Sequence, residues 1–220
     1  MAKLQDIHTD KVPFVEGYFY HVFNRGNNED KLFFNNDNFV YFLRKYDQYL
    51  SDYLETYAFC LIPNHFHFFV KVKSNVFAKE SFKKSAPIEN LSNKKLSNTD
   101  TSKQIIQQFS NFFNCYTKSI NKQQNRNGSL FQKPFKRKII LNEKYLSQII
   151  FYIHLNPVYH QVTRNFATYR WSSYWRILHK KVTKLKKKAV LDFYEGRRNF
   201  IKYHQEELEL HKEVKRYLME

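Results

Sequence analysis

The sequence predicts an α+β fold, a split βαβ antiparallel sheet of the ferredoxin-like or RRM-like kind, with helices on one face and a helical C-terminal extension. Three observations predict it. Segments with apolar residues at every second position alternate with segments repeating every three or four, in the order strand, helix, strand, strand, helix, strand. Pro63-Asn64 separates two runs rich in β-formers, which reads as a tight hairpin turn. Apolar residues make up 42% of the 220-residue chain and aromatics 18%, enough to bury a sizeable core and to exclude disorder throughout.

The first strand covers Tyr18 to Asn24 and breaks at Arg25-Gly26-Asn27-Asn28, a turn composition. From Asn36 onward, Phe39, Phe42, Leu43, Tyr46, Tyr49, Leu50 and Tyr53 recur at helical spacing, with Asn36 or Asp37 placed to cap the start. Leu54 to Ile62 and Phe66 to Val72 form the hairpin. Residues 73–100 lose periodicity and fill with Ser, Asn and Lys, as a flexible insertion does. Helical spacing resumes with Ile105, Ile106, Phe109, Phe112, Phe113 and Tyr116, and a polar run ending at Gly128 closes it. A short strand follows from Lys136 to Leu141. Asn142 then caps a helix with Tyr145, Leu146, Ile149, Ile150 and Ile153 on its apolar face, and Pro157 ends it. Composition divides the chain into a domain over residues 1–177 and a tail over 178–220, which opens with the basic run HKKVTKLKKK and continues as a charged helix.

Thirty-seven Lys and Arg against 20 Asp and Glu leave a net charge of +17 with the histidines neutral. That excess points to a polyanion, nucleic acid ahead of a membrane surface. A low-GC genome explains abundant Lys and Phe separately, but not so unequal a charge balance. Cys60 and Cys115 form no CxxC and no disulfide framework, which fits a reducing cytoplasm. No apolar run approaches the roughly 20 residues that span a bilayer, and the charged N-terminal stretch lacks the apolar run of a signal peptide. The expectation is a soluble cytoplasmic protein, nucleoid-associated if bacterial, with no membrane partner.

The sharpest local feature is His65-Phe66-His67 within a strand. Side chains at i and i+2 share a face roughly 6.5–7 Å apart at the backbone, so two imidazoles can converge on one metal ion while Phe66 packs on the other side. Packing or surface exposure is the ordinary fate of such a tripeptide. Tyr152 and Asn156 form a second constellation in YIHLNP: at i and i+4 they share a helix face, where Asn156 offers a neutral third ligand beside the phenol. A core tyrosine and a capping asparagine are the plain alternative. His154 falls on a different face and is expected to pack or hydrogen-bond in the core.

The segments AFCLIPNHFHFFVKV, GSLFQKPFKRKIILNEKYL, FYIHLNPV and TYRWSSY, in that order, resemble the REP-associated branch of the single-tyrosine HUH transposases, from about Tyr18 to Trp175. The resemblance implies metal-dependent nicking and strand transfer of single-stranded DNA, beside hairpins, through a covalent 5′-phosphotyrosine. It makes Tyr152 the nucleophile, His65 and His67 metal ligands and Asn156 the third ligand, with Mg²⁺ or Mn²⁺ as the cofactor and single-stranded or hairpin DNA as the partner. Ligand softness alone would equally admit zinc or nickel. A free phenol with a pKa near 10 is only about 0.1% ionised at neutral pH, so such a nucleophile needs a nearby cation or proton transfer.

Around these residues Arg25, Lys133, Lys136, Arg137, Arg170 and Trp171 mix cations and aromatics, the composition that grips phosphates and stacks unpaired bases. Arg170 packed against the indole of Trp171 is the structural alternative. The chain departs from the family where relatives continue NPV with Arg-Ala-Gly, having Tyr159-His160-Gln161 instead. A rival class is a non-catalytic or domesticated nucleic-acid-binding protein with a vestigial site; a relaxase or replication initiator would bring a different motif order or paired tyrosines. A homodimer is compatible with either.

Overall fold

The computed structural model describes residues 12–74, 97–142 and 145–217. Strand β1 (Phe19–Arg25), helix α1 (Asn36–Leu50), strands β2 (Leu54–Ile62) and β3 (His65–Val72), helix α2 (Ser97–Gln123) and strand β4 (Lys136–Ile140) make up the expected split βαβ repeat. The strands pair antiparallel throughout in the order β2-β3-β1-β4. Helix α3 (Leu146–Tyr159) follows, then a 3₁₀ turn at Phe166–Thr168 and three helices, α4 (Tyr174–Leu178), α5 (Lys187–Asp192) and α6 (Arg197–Tyr217).

Alternation along the strands sends two sets of side chains to opposite faces. On one face Tyr20, Val22, Phe66, Phe68 and Val70 meet Phe39, Phe42, Tyr46 and Leu50 of α1 and Ile105, Phe109, Phe112 and Tyr116 of α2. Both helices bury residues at steps of three and four, the spacing read from the sequence. Each aromatic so buried contributes roughly 1.5–3 kcal/mol. On the other face Ala58, Cys60, Ile62 and Phe69 meet Ile150 and Ile153 of α3, and Val190, Tyr194 and Phe200 of the C-terminal segment join the same cluster. Thus α1 and α2 share one face as expected, while α3 and the segment behind it cover the opposite one. In β2 the bulge between Thr56 and Ala58 turns both Tyr57 and Ala58 toward that second face.

Four local expectations shift. Asn35, not Asn36 or Asp37, caps α1, its side chain accepting from the Asn38 N–H. Helix α2 begins at Ser97, so residues 97–100 are helical, while 75–96 of the expected insertion lie outside the described residues. Tyr145, not Asn142, occupies the N-cap position of α3, and its N–H bonds the Asn142 carbonyl. Pro157 lies inside α3 rather than ending it: the missing N–H leaves one rung unmade, and the helix closes three residues later with the His160 N–H on the Asn156 carbonyl.

Candidate active site

His65 and His67 begin β3 and project onto the face covered by α3; Arg25 of β1 stands opposite His65 and Phe23 opposite His67 in the register. His21, two positions before Phe23, points the same way, and its Nε2 lies 2.9 Å from His67 Nδ1. Helix α3 crosses above. Nearly everything from Ile150 to Pro157 is buried between the sheet and the C-terminal helices, whereas Tyr152 is 45% exposed. The Tyr152 ring stands edge-on to both imidazoles, 5.9 Å from His21 and 5.8 Å from His67 between centroids.

Neighbouring groups fix which atoms are left free. His65 Nδ1 is 2.8 Å from Asn64 Oδ1, a pure acceptor, so His65 carries its proton on Nδ1 and its lone pair on Nε2. The Asn156 amide nitrogen donates to the Tyr152 carbonyl at 2.8 Å, which fixes the orientation of the carboxamide and leaves its oxygen as an acceptor. The buried atoms without a partner include His67 Nε2 and Asn156 Oδ1. When His67 Nδ1–H donates to His21 Nε2, the unpaired His67 Nε2 also bears a lone pair. Buried polar atoms without a partner are uncommon in folded proteins, and here two occur in the expected ligand set. Among the described residues no group of three or more His, Cys, Asp or Glu is placed to hold an ion, so a metal at this patch would rely on the carboxamide of Asn156 beside His65 and His67.

Electrostatics keep the imidazoles neutral, as metal ligands must be. Burial lowers His65 to about 4, helped by the nearby charges of His160 and Arg25 and opposed by Asn156. Burial lowers His21 to about 3, with Lys138 adding to it. His67 is pushed well below the ordinary histidine range by burial and then by His21, His65 and His160. Burial raises the Tyr152 phenol, and Asn156 works against that rise.

Of the expected DNA contacts, Arg25, Lys133, Lys136 and Arg170 reach solvent. Arg25 is held near the imidazoles by its ion pair with Glu29 at 2.6 Å. Gly26 permits the turn behind it, since a Cβ there would lie 2.1 Å from the Asp30 carbonyl oxygen. Arg137 and Trp171, by contrast, are buried. Arg137 is 5% exposed, its guanidinium packed over Phe14 and Phe135 and donating to the Val12 carbonyl, because odd positions of β4 face the α1–α2 core. Trp171 is 7% exposed and stacks on Phe39 at 4.5 Å, with Arg170 over the ring at 5.1 Å. Arg137 is thus part of the core packing, whereas Arg170 lies over the indole and keeps its exposure.

Three residues of the site went unassigned in the sequence. Lys138 shares the site face with Lys136, as strand alternation alone would have indicated. His160 packs against His65 at 4.4 Å, where relatives were expected to differ, and His21 carries no spacing signal. His154 is buried as expected, with Nδ1 2.9 Å from His204 Nε2 and Nε2 2.7 Å from Ser173 Oγ.

No protein-family profile matches the chain. No curated protein matches it either. A solved structure of a REP-associated tyrosine transposase bound to a REP hairpin superposes with a TM-score of 0.52 at 16% identity, covering 77% of this chain and 84% of that one. The two share a fold.

Proposed function

We propose that this protein nicks and rejoins single-stranded DNA beside hairpins through a 5′-phosphotyrosine on Tyr152, with Mg²⁺ or Mn²⁺ held by His65, His67 and Asn156. The observation that carries this is the convergence of Tyr152 with two buried, unpartnered polar atoms, His67 Nε2 and Asn156 Oδ1, on one face of the sheet. The similarity in fold to a transposase seen bound to a hairpin supports it. A divalent cation there would supply Lewis-acid polarisation of the scissile phosphate, undiminished by any anionic ligand.

The chain's own residues do the rest. The Tyr152 hydroxyl oxygen attacks phosphorus and forms a P–O bond while the bond from phosphorus to the 3′ oxygen breaks. The phenol gives up one proton and the departing oxygen takes one up as a 3′-OH. One phosphate ester replaces another, so attack by a 3′-OH rejoins the strand without an energy-supplying cofactor. Helix α3, locked on both sides, holds Tyr152 over the imidazoles, and Asn156 both orients itself on the Tyr152 carbonyl and favours the ionised phenol. Arg25, Lys136 and Lys138 supply positive charge for the flanking phosphates.

Incubation with labelled hairpin oligonucleotides in Mn²⁺ or EDTA, read on a denaturing gel, tests the proposal. The wild type is expected to form a covalent adduct only with metal, and Tyr152→Phe to form none while binding DNA within about twofold, because only a hydroxyl is lost. Adduct formation by Tyr152→Phe would overturn the nucleophile. Tight hairpin binding without adduct across metals and sequences would instead indicate a binding module.

A further inference from the structure

The basic run after Trp175 does not hang free. The Lys186 N–H bonds the Thr56 carbonyl on the outer edge of β2, and between Trp175 and Leu185 the chain walls a cavity of about 700 Å³ on the α1 side of the sheet, the reverse of the face that carries Tyr152. Its floor is aromatic, with Tyr46, Phe59 and Phe68. Its rim is cationic, with Arg44, Arg176, Lys181 and Lys184, and Asp47 is the one carboxylate in the lining, already paired with Lys184 at 3.3 Å. Among the described residues no ion pair engages Arg44, Arg176 or Lys181. Arg176 sits over the Phe59 ring at 5.4 Å, with Arg170 close enough to oppose its charge. At the same rim the Trp175 indole is 58% exposed, although α4 buries Tyr174, Ile177 and Leu178 around it.

We infer that this groove is a second nucleic-acid site, which takes an unpaired DNA segment with its phosphates on Arg44, Arg176 and Lys181 and a base stacked on Trp175. Uncompensated cations around a concave floor call for an anion, and an exposed indole among them selects anions that carry a flat ring. A paired duplex offers no free base face to that indole. The site extends the proposed function and uses none of the residues assigned to strand transfer.

Trp171 and Trp175 are the two tryptophans, and Trp171 is buried, so emission changes on ligand binding report Trp175. Titrating the protein with dT12 is expected to quench this emission, to lose the quench in Trp175→Phe, and to bind about tenfold more weakly in Trp175→Ala. Arg44→Gln with Lys181→Gln should reduce the magnitude of the slope of log K against log salt by about 1.4, for two phosphates released. These side chains are exposed, and unchanged thermal midpoints confirm that the variants fold. Wild-type affinity and slope in both variants would overturn the groove, as would absence of dT12 binding; thymidine monophosphate binding as tightly as dT12 would also overturn it in favour of a free-nucleotide site. The adduct assay on Tyr152 reads strand transfer separately, so either proposal can fail alone.

Discussion

His67 stands between two histidines of different visibility. Its partner in His65-Phe66-His67 is legible because two imidazoles two residues apart on a strand must share a face. His21 lies 46 positions away in sequence, and only the β1–β3 register brings it to hydrogen-bonding distance. No local pattern encodes that contact. The same rule of alternation, applied to β4, separates Lys136 and Lys138 from Arg137, so the burial of Arg137 was available in the sequence and was obscured by reading the basic cluster as one patch. For His21 the consequence is measurable. Replacing it with Phe removes the His67 Nδ1 partner that would orient this imidazole for a metal ion, and Mn²⁺ affinity by calorimetry is expected to fall about 10- to 100-fold, with partial recovery in His21→Gln. Equal affinity in His21→Phe would remove His21 from the proposed metal site.

Helix α3 was legible as an element, while its side of the sheet and its far boundary were not. Its residues are apolar almost all the way round, so periodicity cannot say which neighbour each face will meet. The structure supplies the reason for that composition: the helix is enclosed by the sheet and the C-terminal segment. A neutral chain of hydrogen bonds pins it. His204 Nδ1 donates to the Phe200 carbonyl, His154 Nδ1 to His204 Nε2, and the Ser173 hydroxyl to His154 Nε2, while the Phe59 N–H donates to Ser173 Oγ. Each ring has one donor and one acceptor in use, so protonating either breaks a link. Burial holds His204 at about 4 and His154 well below its ordinary 6.5. The unfolded chain therefore binds protons first, and stability is full above about pH 6.5 and falls as pH drops toward 4. For His204 alone the loss amounts to roughly 3 kcal/mol. Urea midpoints from pH 7 to 4.5 are expected to decline, and less steeply in His204→Phe; parallel declines would place the titration elsewhere. On the opposite face Phe42→Ala, at a position with no exposure, should cost about 3–5 kcal/mol by the same measurement.

For the whole molecule, the order of elements followed from periodicity and turn chemistry, because local spacing and a two-residue hairpin are local properties. The division of the helices between two faces depends on contacts between distant segments, which no short window contains. Net charge of +17 acts at this scale too. With Arg25, Lys136 and Lys138 on phosphates, the slope of log K against log salt for single-stranded DNA at the Tyr152 face should be about −2. Fluorescence anisotropy with a hairpin oligonucleotide across 50–300 mM salt, roughly the range over which such contacts weaken steeply, checks it. A flat response would assign the excess charge to solvation alone.

His204, the partner of His154, lies 50 residues downstream of it. During synthesis, Tyr152 therefore leaves the ribosome well before the side chain that anchors its helix exists. A nascent or truncated chain ending before residue 204 carries Tyr152 on a helix whose buried imidazole lacks its partner. Under the proposed function, a fragment ending before residue 204 would meet DNA without a firmly seated Tyr152, so strand cutting would require synthesis through that residue.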